Sequence, residues 1–456
     1  MRVVVVGAGL TGLATSALLV RQGKQVFLLE ALDEPGGLAR PISIRGHEFC
    51  PGPQYLWGFG ADSPGAKICA ALGLDVTMRA IRRDFARVAV GDGPLVDLVD
   101  GIPMNVSLSP SAQRFVTVLD RLGRASEPIS VDARFCGSVR QMLQAIASDP
   151  GLTLHDKVDV YRYRDASVAD VARRFGVPAH ELRMLTSSQL IFAERLDELS
   201  VVVFAAARHL AKSVVVPRGG VAAFVRELTA SALKAGVTLT TGASVLAARR
   251  VGGGFELDTP RGTFAADWVV WSCSPGVVGR FVPSVRPTFE SGHSIGCVCL
   301  LAELSEEARE AMRDRSLTWF ADDDDVSFSG ASSSVRALYL MSPTLLAGAQ
   351  GSLHVFCVYR PMSAAPDTDV VRLASALLER AGAIQVMQTL SLGADSWSTA
   401  FGAWSGAVYG RRLTASSLQT SVSARLPQGM SLAHSGAGIP GVLGCLQMAE
   451  AIARGL

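Results

Sequence analysis

The sequence contains little lysine and no large excess of charge of either sign. Only five of its 456 residues are lysine, so arginine provides nearly all of the positive charge. The formal net charge at pH 7 is +2, and no predicted helix concentrates basic residues. Because nucleic-acid-binding proteins normally carry a basic patch or stripe, these features give no reason to expect such a partner. The composition, 49% hydrophobic and 18% charged residues, is typical of a globular chain of two or three domains.

The sequence also lacks the cysteine spacing of a zinc site. Its eight cysteines are scattered, without a Cys-x-x-Cys pair or a cluster of cysteine and histidine. Cys297 and Cys299 lie in an alternating, strand-like run, which predicts that both thiols point to one face. The acidic run at residues 322–325 predicts a solvated turn, because four adjacent acids on an extended chain cannot converge on one ion. We therefore expect buried, reduced thiols and no metal site.

Long apolar runs are absent too. No such run reaches ~18 residues, the length of a transmembrane helix. The longest candidate, residues 199–211, is interrupted by Arg208 and His209 and is interpreted as a buried helix beside a substrate, with a membrane-touching face as the alternative. The first predicted strand begins at residue 3, which leaves no room for a signal peptide, so we expect a cytoplasmic protein.

The most specific pattern lies in the first thirty residues. The β-branched run Val3–Val6 predicts a buried parallel strand. The sequence G-A-G-L-T-G at residues 7–12 follows it directly and opens an apolar pattern of helical period. A second predicted strand, residues 25–29, ends at Glu30. A G-x-G-x-x-G motif between a strand and a helix, followed by an acid at the end of the next strand, predicts a dinucleotide-binding Rossmann unit.

Each residue of this unit has a physical role. Gly7 permits the tight turn, Gly9 lets the backbone approach a pyrophosphate, and Gly12 permits close packing of helix and strand. The helix N-terminus offers free N–H donors to phosphate, and Glu30 is placed to accept hydrogen bonds from the ribose hydroxyls. Ser274, in the sequence Ser-Cys-Ser-Pro after the predicted strand 265–271, would lie at the edge of the parallel sheet where ligands bind.

A second group of residues follows the ribose acid. Gly36, Gly37 and Arg40 form a Gly-Gly-x-x-Arg sequence, and Gly52-Pro53 follows. This string resembles the FAD-binding signature of the flavin amine oxidase and phytoene desaturase superfamily. In physical terms, the glycines let a loop pass beside the pyrophosphate and Arg40 neutralises its charge. The alternative is a surface turn with a solvated arginine. An NAD dehydrogenase does not need this second group of glycines and arginine beside the pyrophosphate.

The resemblance extends to the rest of the chain. Residues 213–275 resemble the superfamily segment in which a valine on the last strand holds the adenine through its backbone, here Val245. The glycines at 436, 438 and 441 form a second G-x-G-x-x-G pattern, but only fifteen residues follow, too few for another strand and ribose acid. We interpret this segment as a helix N-terminus that faces the N1–C2=O edge of the flavin. His434 stands where the family usually has an acid.

The resemblance implies FAD as the cofactor and an α/β fold of the glutathione reductase-like type. A Rossmann-type FAD-binding domain (1–75, 213–283 and 396–456) would be interleaved with an α+β substrate domain (76–212 and 284–395). The substrate domain would contain an edge hairpin at residues 85–99 and a helical region at 111–212. The residues implied to bind FAD are Gly7, Gly9, Leu10, Thr11, Gly12, Glu30, Ala31, Gly36, Gly37, Arg40, Gly52, Pro53, Val245, Ser274, Gly436, Gly438, Ile439 and Val442.

The implied activity is removal of hydride from a hydrophobic small molecule to flavin N5, in a specialised biosynthetic role. The electron acceptor is left open between oxygen, a quinone and another compound. No acid or base stands out, and the candidate reactive-site residues are Tyr55, Trp404, Tyr409 and His434. The first alternative is a flavin amine oxidase. Those enzymes typically carry a lysine before the C-terminal motif, whereas residues 235–456 contain none, which favours a desaturase-like enzyme. The second alternative is a double-bond isomerase without net redox change.

Overall fold

A computed structural model of the chain describes residues 1–125, 152–187, 195–283, 285, 295–321, 335–361, 366–403, 412–414, 426–434 and 441–456. The α-helices in these residues are α1 (Leu10–Arg21), α2 (Pro64–Ala71), α3 (Pro110–Ala125), α4 (Leu154–Tyr163), α5 (Val168–Phe175), α6 (Ala179–Thr186), α7 (Val201–Leu210), α8 (Gly220–Ala235), α9 (Pro275–Phe281), α10 (Glu306–Met312), α11 (Pro343–Leu346), α12 (Asp367–Arg380), α13 (Ala394–Phe401) and α14 (Val442–Gly455).

The strands in the same ranges are β1 (Arg2–Val6), β2 (Gln25–Leu29), β3 (Ile42–Ile44), β4 (His47–Phe49), β5 (Leu56–Trp57), β6 (Met78–Ala80), β7 (Ala86–Val90), β8 (Val96–Val99), β9 (Ile102–Pro103), β10 (Val214–Pro217), β11 (Thr238–Thr240), β12 (Ala247–Val251), β13 (Gly254–Thr259), β14 (Gly262–Ala266), β15 (Trp268–Trp271), β16 (Ile295–Leu304), β17 (Ser316–Phe320), β18 (Ala337–Met341), β19 (Leu353–Pro361), β20 (Ala383–Leu392) and β21 (Met430–Leu432). None of the helices described is long and apolar enough to span a bilayer.

A parallel sheet forms the first of two lobes. Its strand order is β11-β2-β1-β15-β21, and every neighbouring pair is parallel. The run Val3–Val6 lies at its centre and is buried, as expected for a strand covered on both faces. Helix α1 packs against α8 and α14 on this sheet. The Rossmann-type fold predicted from the first thirty residues is confirmed.

A mixed eight-stranded sheet forms the second lobe. Its order is β20-β16-β19-β18-β17-β7-β8-β9, so the predicted hairpin at residues 85–99 does lie at an edge. One face of the sheet packs toward the parallel-sheet lobe, and the other is covered by α10 and α12. Helices α3 to α7 form a separate apolar core beside this sheet. Helix α5 begins with a reciprocal capping box formed by Ser167 and Asp170.

Strand β10, at the start of the segment 213–283 that is predicted to belong to the FAD-binding domain, does not join the parallel sheet. It pairs antiparallel with β5 and β6 in a small separate sheet. The reason lies in its alternation, since Val215 packs into the core of the parallel sheet while Val214 and Val216 pack into the core of the mixed sheet. A strand that is apolar on both faces therefore joins two cores here. The domain boundaries at 75, 212, 283 and 395 stay a prediction.

Val245 also differs from its prediction. The residue lies in the segment between β11 and β12 rather than on a strand, because β12 begins only at Ala247. The glycines at 252 and 253 form the turn of a hairpin, with Arg250 opposite Phe255 and Val251 opposite Gly254.

Candidate functional site

A cavity of about 530 Å³ lies between the two lobes. Its walls come from the carboxyl ends of β1, β2 and β15, from the N-termini of α1 and α14, and from the mixed sheet. In open α/β sheets this edge is where ligands bind, because the strand ends and helix N-termini leave backbone N–H groups facing the crevice.

The first glycine loop shows why the motif requires each glycine. Gly7 has a φ of 102°, and a Cβ atom there would lie 2.8 Å from the carbonyl oxygen of Ser272. A Cβ atom on Gly12 would lie 1.9 Å from the carbonyl oxygen of Gly7, so helix α1 can pack on β1 only without a side chain at this point. Gly9 is different, because the nearest atom to its Cβ position is the Cα of Gly37 at 3.9 Å. The backbone at Gly9 therefore faces the open cavity.

Glu30 is fixed at the end of β2 by backbone donors. Its carboxylate accepts hydrogen bonds from the N–H of Ala8 at 2.7 Å and from the N–H of Leu32 at 3.0 Å. The side chain is buried and lines the cavity. The acid predicted to accept from a ribose is thus held in a single place, next to the first glycine loop.

The second glycine pair packs directly on the first. The N–H of Gly36 donates to the carbonyl of Ala8 at 2.8 Å, and a Cβ atom on Gly37 would lie 3.1 Å from the Cα of Gly9. The φ angles of Gly36 and Gly37 are 125° and 56°, a region that favours glycine. Two glycine loops therefore lie side by side at one end of the cavity, as the motif spacing predicts.

Arg40 is not among the residues that line the cavity. Its guanidinium donates to the carbonyl of Ala400 at 2.7 Å and stacks over the ring of Phe401, with 5.4 Å from Cζ to the ring centroid. Its Nε is buried without a hydrogen-bond partner among the described residues. The contact between Arg40 and a pyrophosphate stays a prediction, while the structure assigns Arg40 a further role in holding the end of α13 against the second glycine loop.

The last helix faces the opposite end of the cavity. Helix α14 starts after Gly441, and Val442, Leu443 and Gln447 line the cavity. The side-chain nitrogen of Gln447 is buried and has no hydrogen-bond partner in the described part of the chain. A buried amide normally finds a partner, so this donor is available to a ligand. Sequence reasoning missed Gln447, although its helical spacing from Leu443 places both on one face of α14.

Four aromatic residues, from two strands of the mixed sheet, the segment before β5 and helix α13, form an aromatic wall of the cavity. The hydroxyl groups of Tyr55 and Tyr339 lie 3.1 Å apart, and burial raises the pKa of Tyr339 to about 12. The hydroxyl of Tyr359 donates to the carbonyl of Pro51 at 2.8 Å, and Trp397 donates its indole N–H to Ile295 at 2.8 Å. Sequence reasoning singled out Tyr55 but missed the other three aromatic residues, because strand register brings Tyr339 and Tyr359 to the cavity and the packing of helix α13 brings Trp397.

His434 lies on the cavity wall next to the carboxyl end of β21. Its imidazole is partly shielded from solvent, and desolvation lowers its pKa from 6.5 to about 4. The side chain is therefore neutral near pH 7. It is suited to hydrogen bonding but not to supplying a positive charge.

Most of the residues predicted from the sequence meet at this cavity. The lining contains Gly7, Gly9, Leu10, Thr11, Glu30, Ala31, Gly36, Gly37, Gly52, Pro53, Tyr55, Val245, Ser274, His434 and Val442. Gly12 packs beneath the loop, and Arg40 lies outside the lining. Trp404, Tyr409, Gly436, Gly438, Ile439 and the acidic run 322–325 fall outside the described residues.

The cavity fits a long dinucleotide with an apolar ring at one end. One end offers backbone donors, an acid and a glycine surface without side chains, which match phosphate and ribose. The other end offers a second helix N-terminus and the unpaired amide of Gln447, which match the carbonyl groups of a flat ring. The aromatic wall belongs to the same cavity and offers apolar surface.

Known proteins resemble this chain both in sequence and in fold. A family model described as an NAD(P)-binding Rossmann-like domain matches residues 5–72. Phytoene dehydrogenase of Streptomyces griseus is 27% identical over 268 residues, which is 55% of this chain and 49% of that protein. The alignment thus spans about half the length of this curated relative.

Solved structures share the fold over the whole chain. Wild-type putrescine oxidase bound to putrescine has a TM-score of 0.68 at 14% identity, covering 100% of this chain and 99% of that one. Cyclohexylamine oxidase from Brevibacterium oxydans has a TM-score of 0.62 at 14% identity, with the same coverage. At this identity the likeness concerns the fold.

The first prediction concerns the glycine loop and its acid. We expect Gly9→Val and Glu30→Ala to yield folded protein with little or no bound FAD, because valine fills the open side of the loop and alanine removes the ribose acceptor. The visible absorbance of the purified protein and its FAD content after denaturation measure the effect. Gly253→Val, at an exposed turn with no atom near its Cβ position, is the control and retains FAD. Stoichiometric flavin in both site variants would contradict the assignment.

The second prediction concerns Gln447. We expect Gln447→Leu to weaken FAD binding about tenfold, the value of one hydrogen bond, while the free energy of unfolding without cofactor stays the same or rises by about 1 kcal/mol, because a buried unpaired amide is removed. Titration calorimetry and urea denaturation measure the two effects. Gln22→Leu, at the exposed end of α1, is the control. Unchanged FAD affinity would exclude Gln447 from the binding site.

Proposed function

We propose that this chain is an FAD-dependent oxidoreductase of the superfamily that contains phytoene desaturases and flavin amine oxidases, and that within it the chain acts as a desaturase-like dehydrogenase of an apolar small molecule. The observation that supports the proposal is the continuity of one cavity from the glycine loops to an apolar, aromatic wall. The bound flavin supplies a hydride acceptor. The tasks of the protein are to bind, orient and keep out water.

The wall residues determine what can be oriented there. Ile295, Met341 and Leu210 contribute aliphatic surface, and Trp397 is held by its indole hydrogen bond. Tyr55 and Tyr339 use their hydroxyls on each other, so they present ring surface to the cavity. Such a wall excludes water and binds an apolar substrate by its shape and area.

The charged residues of the lining support a reaction without a strong acid or base. Among the described residues that line the cavity, these are Glu30 and Arg280. Glu30 is engaged by two backbone donors at the nucleotide end, and Arg280 is exposed on α9. His434 is neutral because of its lowered pKa. Loss of hydride from an activated C–H bond is the chemistry that places the smallest demand on such groups.

Oxidation of an amine is the second candidate, favoured by the fold shared with putrescine oxidase and cyclohexylamine oxidase. The tyrosine rings of the wall would contact an ammonium group through their faces. Against it, no lysine lines the cavity within the described ranges, and the sequence has none after residue 234.

The third prediction separates the candidate activities. We expect anaerobic mixing of the FAD-loaded protein with candidate polyenes to bleach the flavin absorbance with formation of a stoichiometric dehydrogenated product. Cyclic amines are the comparison substrates, and bleaching with these alone would support the amine oxidase instead. An isomerised product without bleaching would replace the proposal with a double-bond isomerase. Hydrogen peroxide on admission of air would identify oxygen as the electron acceptor.

The fourth prediction concerns His434. We expect His434→Ala to retain FAD but to change its reduction potential, because a neutral imidazole beside the cavity is removed. The control is His180→Ala, at an exposed position of α6, which should leave the potential unchanged. If the reduction potential of FAD is unaltered in His434→Ala, His434 has only a packing role.

The pKa of His434 adds a pH test. Between pH 6.5 and about 4 the unfolded chain binds a proton at this residue while the folded chain does not, so the free energy of unfolding falls on acidification through this range. The loss is smaller in His434→Ala, as measured by urea denaturation at several pH values. A His434 imidazole NMR signal, identified by its absence from the spectrum of His434→Ala, that titrates near 6.5 in the folded protein would contradict the shielded position.

A further inference from the structure

Three cysteines meet on one face of the mixed sheet. Cys297 and Cys299 lie on β16, and Cys357 lies on β19 directly opposite Cys299. Residues two apart on a strand, and residues paired across it, share a face. The three sulfur atoms all lie within 4.8 Å of one another, and all three residues are at most 1% exposed. The sequence had predicted the shared face of the first two but not the third member.

This cluster is distinct from the cavity that holds the predicted cofactor and substrate. None of its three cysteines lines that cavity within the described residues, although Tyr359, opposite Cys297, does. The thiols lie in the apolar core on one face of the mixed sheet. The segment at residues 50–55, which follows β4 and is called the cofactor loop here, lies beside this core. The proposed redox function therefore leaves them unexplained.

The spacing suits a metal ion bound by three sulfurs. A metal–sulfur bond of ~2.3 Å in a trigonal plane separates the sulfurs by ~4.0 Å, so the cluster needs to contract by less than ~1 Å. Across the described ranges, no histidine, carboxylate or further cysteine joins the group. A structural zinc site takes four ligands, whereas thiolates alone select soft ions such as Cu(I).

Tyr359 connects the cluster to the cavity wall. It is paired with Cys297 across the two strands, and its side chain lines the cavity. The side-chain amide of Gln54, which also lines the cavity, donates to the Tyr359 hydroxyl.

We propose that Cys297, Cys299 and Cys357 form a buried, three-coordinate site for a thiophilic metal ion, with Cu(I) as the ion that fits best. Because the site is buried, the ion enters while the chain folds, and binding releases the thiol protons of the cysteines. The bound ion links β16 to β19 beneath Tyr359, whose hydroxyl hydrogen bond reaches Pro51 of the cofactor loop. It thereby braces the wall of the cavity.

The fifth prediction tests this site without reference to activity. The full chain is produced in copper-supplemented cells, purified under reducing anaerobic conditions, and analysed for metal content and by X-ray absorption at the copper edge. We expect about one copper ion per chain, surrounded by three sulfurs at ~2.3 Å. In Cys299→Ala and Cys357→Ala, copper should be lost or should keep at most two sulfur neighbours, because one of the three ligands is removed.

The matched control is Cys69→Ala, which removes a buried thiol of α2 outside the cluster and should retain the copper. Circular dichroism and FAD content establish whether each variant is folded. If a variant does not fold, the X-ray absorption spectrum of the wild-type protein still decides the coordination. Folded wild-type protein without copper, or copper bound by other ligands, would overturn the proposal. A disulfide between Cys299 and Cys357, seen as a loss of two hydrogens by mass spectrometry in metal-free protein, would identify a redox pair instead.

Discussion

The peptide groups around one residue, Ala8, hold the nucleotide end of the cavity together. The N–H of Ala8 donates to the Glu30 carboxylate at 2.7 Å, and its carbonyl accepts from the N–H of Gly36 at 2.8 Å. These two bonds fix the ribose acid and the second glycine loop against the first loop. Because buried backbone groups must be paired, no part of this arrangement can shift without leaving a donor or acceptor unsatisfied. The surface predicted to face a pyrophosphate is therefore held in place by the protein's own hydrogen bonds, which lowers the entropic cost of binding.

The aromatic wall is tied to that end through the segment between residues 50 and 57. Tyr359 bonds to Pro51 at 2.8 Å, and Tyr339 meets Tyr55 at 3.1 Å, so two strands of the mixed sheet position the chain just after the second glycine loop. Strand β10 adds an apolar link, because its alternate valines belong to the cores of the two lobes. The distance between the glycine loops and the wall is thus set by packed structure, which is what orienting a substrate against a cofactor requires.

The parts of the site that the sequence predicted are those encoded by short-range patterns. The motif at residues 7–12, Glu30 and the pair at Gly36 and Gly37 lie within one strand, helix and strand unit, where spacing alone fixes the geometry. Tyr339 and Tyr359 could not be found in this way, because a single-residue change in strand register would turn either tyrosine to the other face. Val245 was expected on a strand because of the superfamily resemblance, yet the chain at that point leaves β11 to pass Glu30, where the N–H of Ala243 donates to the Glu30 carbonyl at 2.8 Å.

The charges around the cavity bear on which substrate it takes. An ammonium group held away from water without a carboxylate costs several kcal/mol, and contact with a tyrosine face returns only ~0.5–2 kcal/mol of that. The carboxylate in the described lining is that of Glu30, and it is engaged by Ala8 and Leu32 at the nucleotide end. A neutral molecule meets no such penalty and gains ~25 cal/mol for each Å² of apolar surface buried against the wall. An amine would have to enter deprotonated, whereas an apolar polyene enters as it is. The balance of these terms is the physical reason to prefer a neutral hydrocarbon-like substrate.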